Sequence, residues 1–287
     1  MILQSEVTKI SAETGVSKTT VDKDWVLGHF IDAIYSIEEL NEKLIFKGGT
    51  CLKKCYLPDY RFSEDLDFTT TDENFIFSEE LLNTVIALVT KRSGMACHAV
   101  LLKDLIFKNK KTGYQTIIKY WGADHPKNQP IPPPERWQTN IKIEIILYEL
   151  MLFPTKNKKV SHLYSDKLSK KANKIPCYSI EEVMAEKIRA LMQRKYTAPR
   201  DYYDIWYLSR NFKDLDNDKI VKAFYKKVKY KELEFTGIEQ LINPKHERIL
   251  AHNWKNSLGH QIAKEKLVDY TVVVSDVREY FNMIFGK

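Results

Sequence analysis

Two short segments carry residues able to handle a phosphate and a metal ion. In Lys47-Gly48-Gly49-Thr50, which follows the apolar run Leu44-Ile45-Phe46, adjacent glycines remove the Cβ atoms that would keep a phosphate away from the backbone. A helix starting there adds unpaired N–H groups and the positive end of its dipole. In Arg61-Phe62-Ser63-Glu64-Asp65-Leu66-Asp67-Phe68, strand alternation sends Asp65 and Asp67 to one face while Leu66 and Phe68 point to the core. Two carboxylates side by side repel unless a cation lies between them, and hard oxygen ligands select Mg²⁺ or Mn²⁺. A metal pair that also touches a triphosphate is suited to nucleotidyl transfer. Alone, the glycines read as a turn and the acids as a solvated strand edge. Their succession, with a short helix and the Pro58-Asp59 turn between them, is the rarer arrangement.

A third carboxylate comes from the segment 140–149. Ile141, Ile143, Ile145 and Leu147 share one face of this strand, and Lys142, Glu144 and Ile146 share the other. Glu144 is the candidate to complete a metal shell or activate an attacking hydroxyl. Its bland alternative is a strand-face pairing with Lys142.

Other elements must position these groups. The pattern predicts a short helix stopped by Gly15, then a second with Leu27, Phe30, Ile31, Ile34 and Tyr35 at helical spacing. Thr50 is placed to cap a helix running to Tyr56, and residues 61–70 read as one strand. Ser78 opens a helix with the stripe Leu82, Val85, Ile86 and Val89. Strands follow at 99–108, 114–121 and 140–149, with the proline-rich PKNQPIPPPERW as an irregular loop between the last two. From Lys156 to Lys174 seven lysines face one aspartate, which reads as a linker or an exposed basic face. Beyond it the periodicity is helical: Ser179-Ile180-Glu181-Glu182 has the form of a capping box, and Pro199 opens another helix. The expected architecture is α+β, a mixed sheet with flanking helices over residues 1–175 and a helical domain over 176–287.

Composition narrows the class. A 44% hydrophobic and 29% charged chain of 287 residues is globular rather than disordered. Its net charge of +7 permits a polyanionic partner without requiring one. MILQSEVTKI has no apolar signal core, and the best apolar run, LLNTVIALV, is broken by Asn83 and Thr84, well short of the roughly 18 residues of a membrane span. No membrane partner and a cytoplasmic location are therefore expected. The four cysteines read as reduced structural thiols. No HExxH, GxSxG, CxxC or GxxxxGK[ST] is present, which removes the usual entry to zincin, α/β-hydrolase, thioredoxin and phosphate-loop readings.

FKGGTCLKKCY followed by RFSEDLDF closely resembles the AbiEii/AbiGii toxin family of nucleotidyltransferases, a branch of the polymerase-β-like superfamily. EEVMAEKIRALMQRKYTAPRDYYDIWYLS resembles the family's second signature, a helix with a lysine followed by Arg-Asp-x-x-Asp, and Lys23-Asp24-Trp25 fits its N-terminal pattern. The resemblance spans residues 20–210. It implies that Asp65 and Asp67 hold the metal ions and that Gly48, Gly49 and Thr50, beside Lys47, cradle nucleotide phosphate. Ser63 would face the triphosphate, Lys187 would neutralise its charge from the other wall of a cleft, and Asp201 and Asp204 would form the Arg-Asp-x-x-Asp element, with Asp204 counted among the catalytic residues. The implied activity is Mg²⁺-dependent transfer of NMP from an NTP to an RNA acceptor, such as the 3′ end of tRNA. The implied setting is a type IV toxin–antitoxin or abortive-infection system, with antiviral defence as its role and a separately encoded antitoxin as partner.

Residue patterns weigh on these implications. On its helix Lys187 lies in line with Val183, Ala190 and Leu191, so its ammonium either snorkels or faces a buried anion. Facing a phosphate would make removal of the lysine nearly neutral for stability. Asp204 has an i,i+4 partner in Arg200 as its structural alternative. Lys103, Lys108, Lys110, Lys111 and Lys119, interleaved with Phe107, Tyr114 and Tyr120, form either a solvated face or a surface for unpaired RNA. Two other functions fit parts of the pattern: an Asp-x-Asp sugar transferase, disfavoured by the Gly-Gly-Thr loop, and an idle RNA-binding or antitoxin-docking protein, disfavoured by the intact acids.

Overall fold

Strand alternation in the N-terminal half resolves into one mixed sheet in a computed structural model that describes residues 1–194 and 196–286. Its strands are β1 (Ile45–Lys47), β2 (Asp65–Thr69), β3 (Ala96–Phe107), β4 (Lys110–Trp121), β5 (Asn140–Ile146), β6 (Lys156–Lys158) and β7 (Ile175–Cys177), in the order β3-β4-β5-β2-β1-β7-β6. β2 lies inside the sheet, antiparallel to β1 and parallel to β5, so ladder hydrogen bonds fix it on both edges. The register sets Lys47 beside Asp67, Asp65 beside Lys142 and Asp67 beside Glu144. On the other face Leu66 and Phe68 join Ile143 and Ile145 in the core.

Helices α1 (Gln4–Thr14), α2 (Lys18–Ile34), α3 (Glu38–Lys43), α4 (Gly48–Cys51) and α5 (Glu79–Ser93) accompany this sheet. Gly15 ends α1 in the left-handed region at φ 72°, as its position predicts. α2 starts where the Ser17 hydroxyl accepts from the Thr20 N–H at 3.1 Å, and it buries Trp25, Phe30 and Ile31. Ser78 caps α5 by accepting from the Leu81 N–H at 3.2 Å. Lys108 and Asn109, both at positive φ, make a two-residue turn that lets β3 and β4 pair over more residues than the sequence predicts.

Four local expectations are corrected. Residues 61–64 are not strand: β2 begins at Asp65, because Arg61 and Ser63 turn toward Gly49 instead of pairing. β5 stops at Ile146 rather than 149. Thr50 does not cap a helix; its hydroxyl donates to the Asp65 carbonyl at 2.5 Å, and α4 passes straight into a π-helical turn at Leu52–Tyr56. The segment 156–174 is not a linker. It supplies β6, and its backbone is tied down by Val160 N–H to Ala172 C=O at 2.8 Å and Ser161 N–H to Lys54 C=O at 2.6 Å. Asp166 accepts from Trp25 Nε1 at 3.0 Å and pairs with His29 and His162 at 2.9 and 2.8 Å, while the Ser169 hydroxyl donates to Asp32 at 2.6 Å. Polar pairs with α2 hold this stretch together with the buried Val160 and Ala172.

The chain divides into two compact units, Met1–Glu149 with Thr155–Cys177, and Leu150–Pro154 with Tyr178–Lys287. The second is helical: α6 (Ile180–Gln193), α7 (Pro199–Asn211), α8 (Asn217–Tyr230), α9 (Pro244–Leu258) and α10 (Tyr270–Phe285). Pro199 opens α7. At α6 half of the capping box forms, with Ser179 accepting from the Glu182 N–H at 3.2 Å. The reciprocal half is not how Glu182 is used. Its carboxylate accepts from the N–H groups of Leu152 and Phe153, both at 2.8 Å, and pairs with Lys227 at 2.5 Å. Lys227 is only 2% exposed, so a buried ammonium claims the carboxylate.

Candidate active site

The first unit gathers Lys47, Gly48, Gly49, Thr50, Ser63, Asp65, Asp67 and Glu144 on one side of the β1–β2–β5 segment. Gly48 is essential to this packing. It sits at φ +79°, and a Cβ there would come within 2.1 Å of the Asp67 carboxylate. The Gly-Gly loop is thus pressed against the acid it precedes in sequence. A Cβ on Gly49 would meet Ser63 Oγ at 2.8 Å and the Arg61 guanidinium at 3.0 Å, which puts both side chains at the loop. Lys47, also buried, donates to Glu149 at 3.3 Å.

Three carboxylates crowd the same face. Burial, together with the neighbouring Glu144 and Asp65, pushes the Asp67 carboxyl up to about 6 against the pull of Lys47 and Lys142. Lys142 stands between the other two acids, 3.5 Å from Asp65 and 3.2 Å from Glu144. Burial works against its charge, but the Asp65 and Glu144 carboxylates outweigh that and hold its pKa above the usual value. Glu144 also accepts from Gln115 Nε2 at 2.7 Å. The sequence offered metal binding and Lys142 pairing as alternatives for Glu144; the structure forms the pair and extends it to Asp65. The donor set fits a hard divalent cation: only oxygens, three carboxylates against Lys142 and a Lys47 that also pairs with Glu149, and an acid whose ionisation burial and its like-charged neighbours impede.

The second unit holds the remaining predicted residues. Lys187 on α6 reaches Asp204 on α7 at 2.5 Å and Asp201 at 3.8 Å, and Asp201 also pairs with Arg194. Asp204 is fully buried and Lys187 is 14% exposed. The lysine therefore neither snorkels nor waits for an outside anion, because its anion is a carboxylate one helix away. Asp204 in turn takes Lys187 as its partner, where the sequence suggested Arg200.

A family profile described as the nucleotidyl transferase AbiEii toxin of type IV toxin–antitoxin systems matches residues 29–282. The chain belongs to the AbiEii family. It is a nucleotidyltransferase of the toxin–antitoxin class, as its motifs imply. MenT4, a nucleotidyltransferase toxin from Mycobacterium tuberculosis H37Rv, superimposes with a TM-score of 0.64 at 16% identity, covering 99% of this chain and 90% of its own. The shared feature is the fold: a mixed sheet with helices and a helical C-terminal region. An antigenic nucleotidyltransferase-like protein from Paracoccidioides brasiliensis aligns over 83% of this chain and 96% of its own at 12% identity, but its TM-score of 0.31 is too low to bear on the fold. No curated protein sequence matches the chain. Among the described residues no helix is long and apolar enough to cross a membrane.

Two residues of this cluster escaped the sequence reading. Arg61 is buried at the Gly49 loop, and because residues 61–64 are not strand, no alternation in the sequence marks it. Lys142 was read only as a partner for Glu144. Its approach to Asp65 follows from the parallel β2–β5 register, which a single strand's pattern does not contain.

Proposed function

We propose that this AbiEii protein transfers a nucleoside monophosphate from an NTP to an RNA hydroxyl, with the 3′ end of tRNA as the model acceptor and a cognate antitoxin as its partner in the cytoplasm. The observation that carries the proposal is the packing of Gly48 against Asp67 beside Asp65 and Glu144, which sets a phosphate-sized backbone gap against an unbalanced acidic cluster. Asp65, Asp67 and Glu144 would hold Mg²⁺ or Mn²⁺, which supplies charge stabilisation at the α-phosphate. The glycine loop and Thr50 lie against the triphosphate, and Ser63, Lys47 and Arg61 donate to its oxygens. The acceptor hydroxyl attacks the α-phosphorus in line, the bond to the β-phosphate oxygen breaks, and pyrophosphate leaves.

The test is incubation of the protein with total bacterial RNA, Mg²⁺ and each α-labelled NTP in turn. Label in an RNA band, absent with Asp65→Asn, is the expected result. Label in no RNA under any NTP would remove RNA as the acceptor class.

A further inference from the structure

Beneath the glycine loop three thiols converge. Cys51 closes α4, Cys55 lies on the π-helical turn that follows, and Cys177 ends β7, where it pairs beside Phe46 of β1. Their sulfurs all lie within 4.8 Å of one another, and none is in a disulfide. Cys51 and Cys177 are fully buried, whereas Cys55 is partly open to a cavity of about 710 Å³ lined by Lys54, Tyr56 and Lys159. From sequence, Cys51 and Cys55 lack a third ligand. The parallel β1–β7 pairing brings it from the end of the same unit.

We infer that Cys51, Cys55 and Cys177 form a trithiolate site for a soft, thiophilic metal ion, apart from the acidic site. At metal–sulfur bonds of about 2.3 Å, three sulfurs around one ion stand about 4 Å apart, so small rotamer changes close the site. Thiolates select Cu(I) and its like over the hard cations that suit the acidic cluster. The cluster holds three cysteines and, among the described residues, no histidine or carboxylate within the same span, which favours a three-coordinate ion over tetrahedral Zn²⁺. Loading Cu(I) forms three copper–sulfur bonds and releases three thiol protons to solvent, leaving two net negative charges. Lys54 and Lys158 act on Cys55 and offset that charge. Cys55 is the ligand that lines the cavity, and so the one an incoming ion would meet first.

The experiment titrates reduced full-length protein with Cu(I) against a competing cuprous chelator and records X-ray absorption of the loaded protein. One Cu(I) per chain in a shell of three sulfurs is expected. Cys55→Ser and Cys177→Ser should each weaken binding by about 100-fold or more, since even outer-shell changes cost 10–100-fold. Cys97→Ser, on β3, should leave it unchanged. A two-sulfur shell, or equal losses in all variants, would overturn the inference. So would a nitrogen and oxygen shell, which would point instead to the nearby His29, His162 and Asp166. If a cysteine variant fails to fold, the wild-type shell still decides.

Discussion

The acidic face of β2 and the α6–α7–α8 interior treat charge in opposite ways. Around Asp67 three carboxylates crowd together with Lys142 bridging two of them, and burial first, then the like-charged neighbours, push the carboxyl up to about 6. In the helical unit three prominent charges meet their complements: Lys227 with Glu182, Lys187 with Asp204, Arg194 with Asp201. Paired charges hold a fold together, whereas like charges kept close store a cost that a ligand can relieve. Substitutions should thus separate the two regions, with activity lost and stability kept in one, and stability lost in the other.

The largest effect is expected at Asp65→Asn and Asp67→Asn. In the proposed role each acid holds the metal, so its loss, worth several kcal/mol, should lower turnover by about 10³-fold, with the circular dichroism spectrum unchanged. Near-normal turnover in either variant would break the comparison at its first region. Next come Lys227→Met and Glu182→Gln, each leaving one buried charged partner without its complement. Each should cost about 3–5 kcal/mol of stability in denaturant melts, and the double variant should recover part of that.

Lys187→Ala tests the pair whose lysine the motif resemblance assigns to phosphate and the structure gives to Asp204. It should lower the melting temperature, because Asp204 is left buried and unpaired, and Asp204→Asn on top should restore part of the loss. A fall in NTP affinity that the second change does not restore would separate phosphate binding from packing. The sequence pattern predicted near-neutral stability here, since no anion for Lys187 was visible along its own helix.

A smaller effect follows from pH. The folded pKa of Asp67 lies near 6, above its ordinary 3.8, so the folded chain holds this proton more tightly than the unfolded one. That contribution is fully present below pH 3.8 and is lost as pH rises through about 6. Without divalent cations, Asp67→Asn should therefore gain a few degrees of melting temperature over wild type between pH 4 and 7, and a constant difference would contradict the assignment. Smallest of all, Lys142→Met should tighten Mn²⁺ binding a few-fold in a calorimetric titration, because the ion no longer competes with an ammonium between Asp65 and Glu144.

What was legible in the sequence was local. The glycine loop, the Asp65–Asp67 face, the stop at Gly15 and the caps at Ser78 and Ser179 all depend on neighbours within a few residues. What was hidden depends on distant partners: Thr50 bonds the Asp65 carbonyl rather than its own helix, Glu182 turns to Lys227, and residues 156–174 are held by Trp25, His29 and Asp32. Lysine composition suggested an exposed stretch because the α2 groups that hold Asp166 and Ser169 sit far back along the chain.

The short run Leu150–Pro154 belongs to the helical unit although sheet residues lie on both sides of it in the chain. The Lys227 ammonium donates to the Leu150 carbonyl at 2.6 Å, and Glu182 receives the Leu152 and Phe153 amides. During synthesis this run leaves the ribosome before either of those partners. β6 and β7 then complete the sheet edge while the run still waits for α8. Cutting the gene at any single point within 150–177 would strand part of one unit in the other's fragment, so the halves are separable by fold and inseparable by cloning.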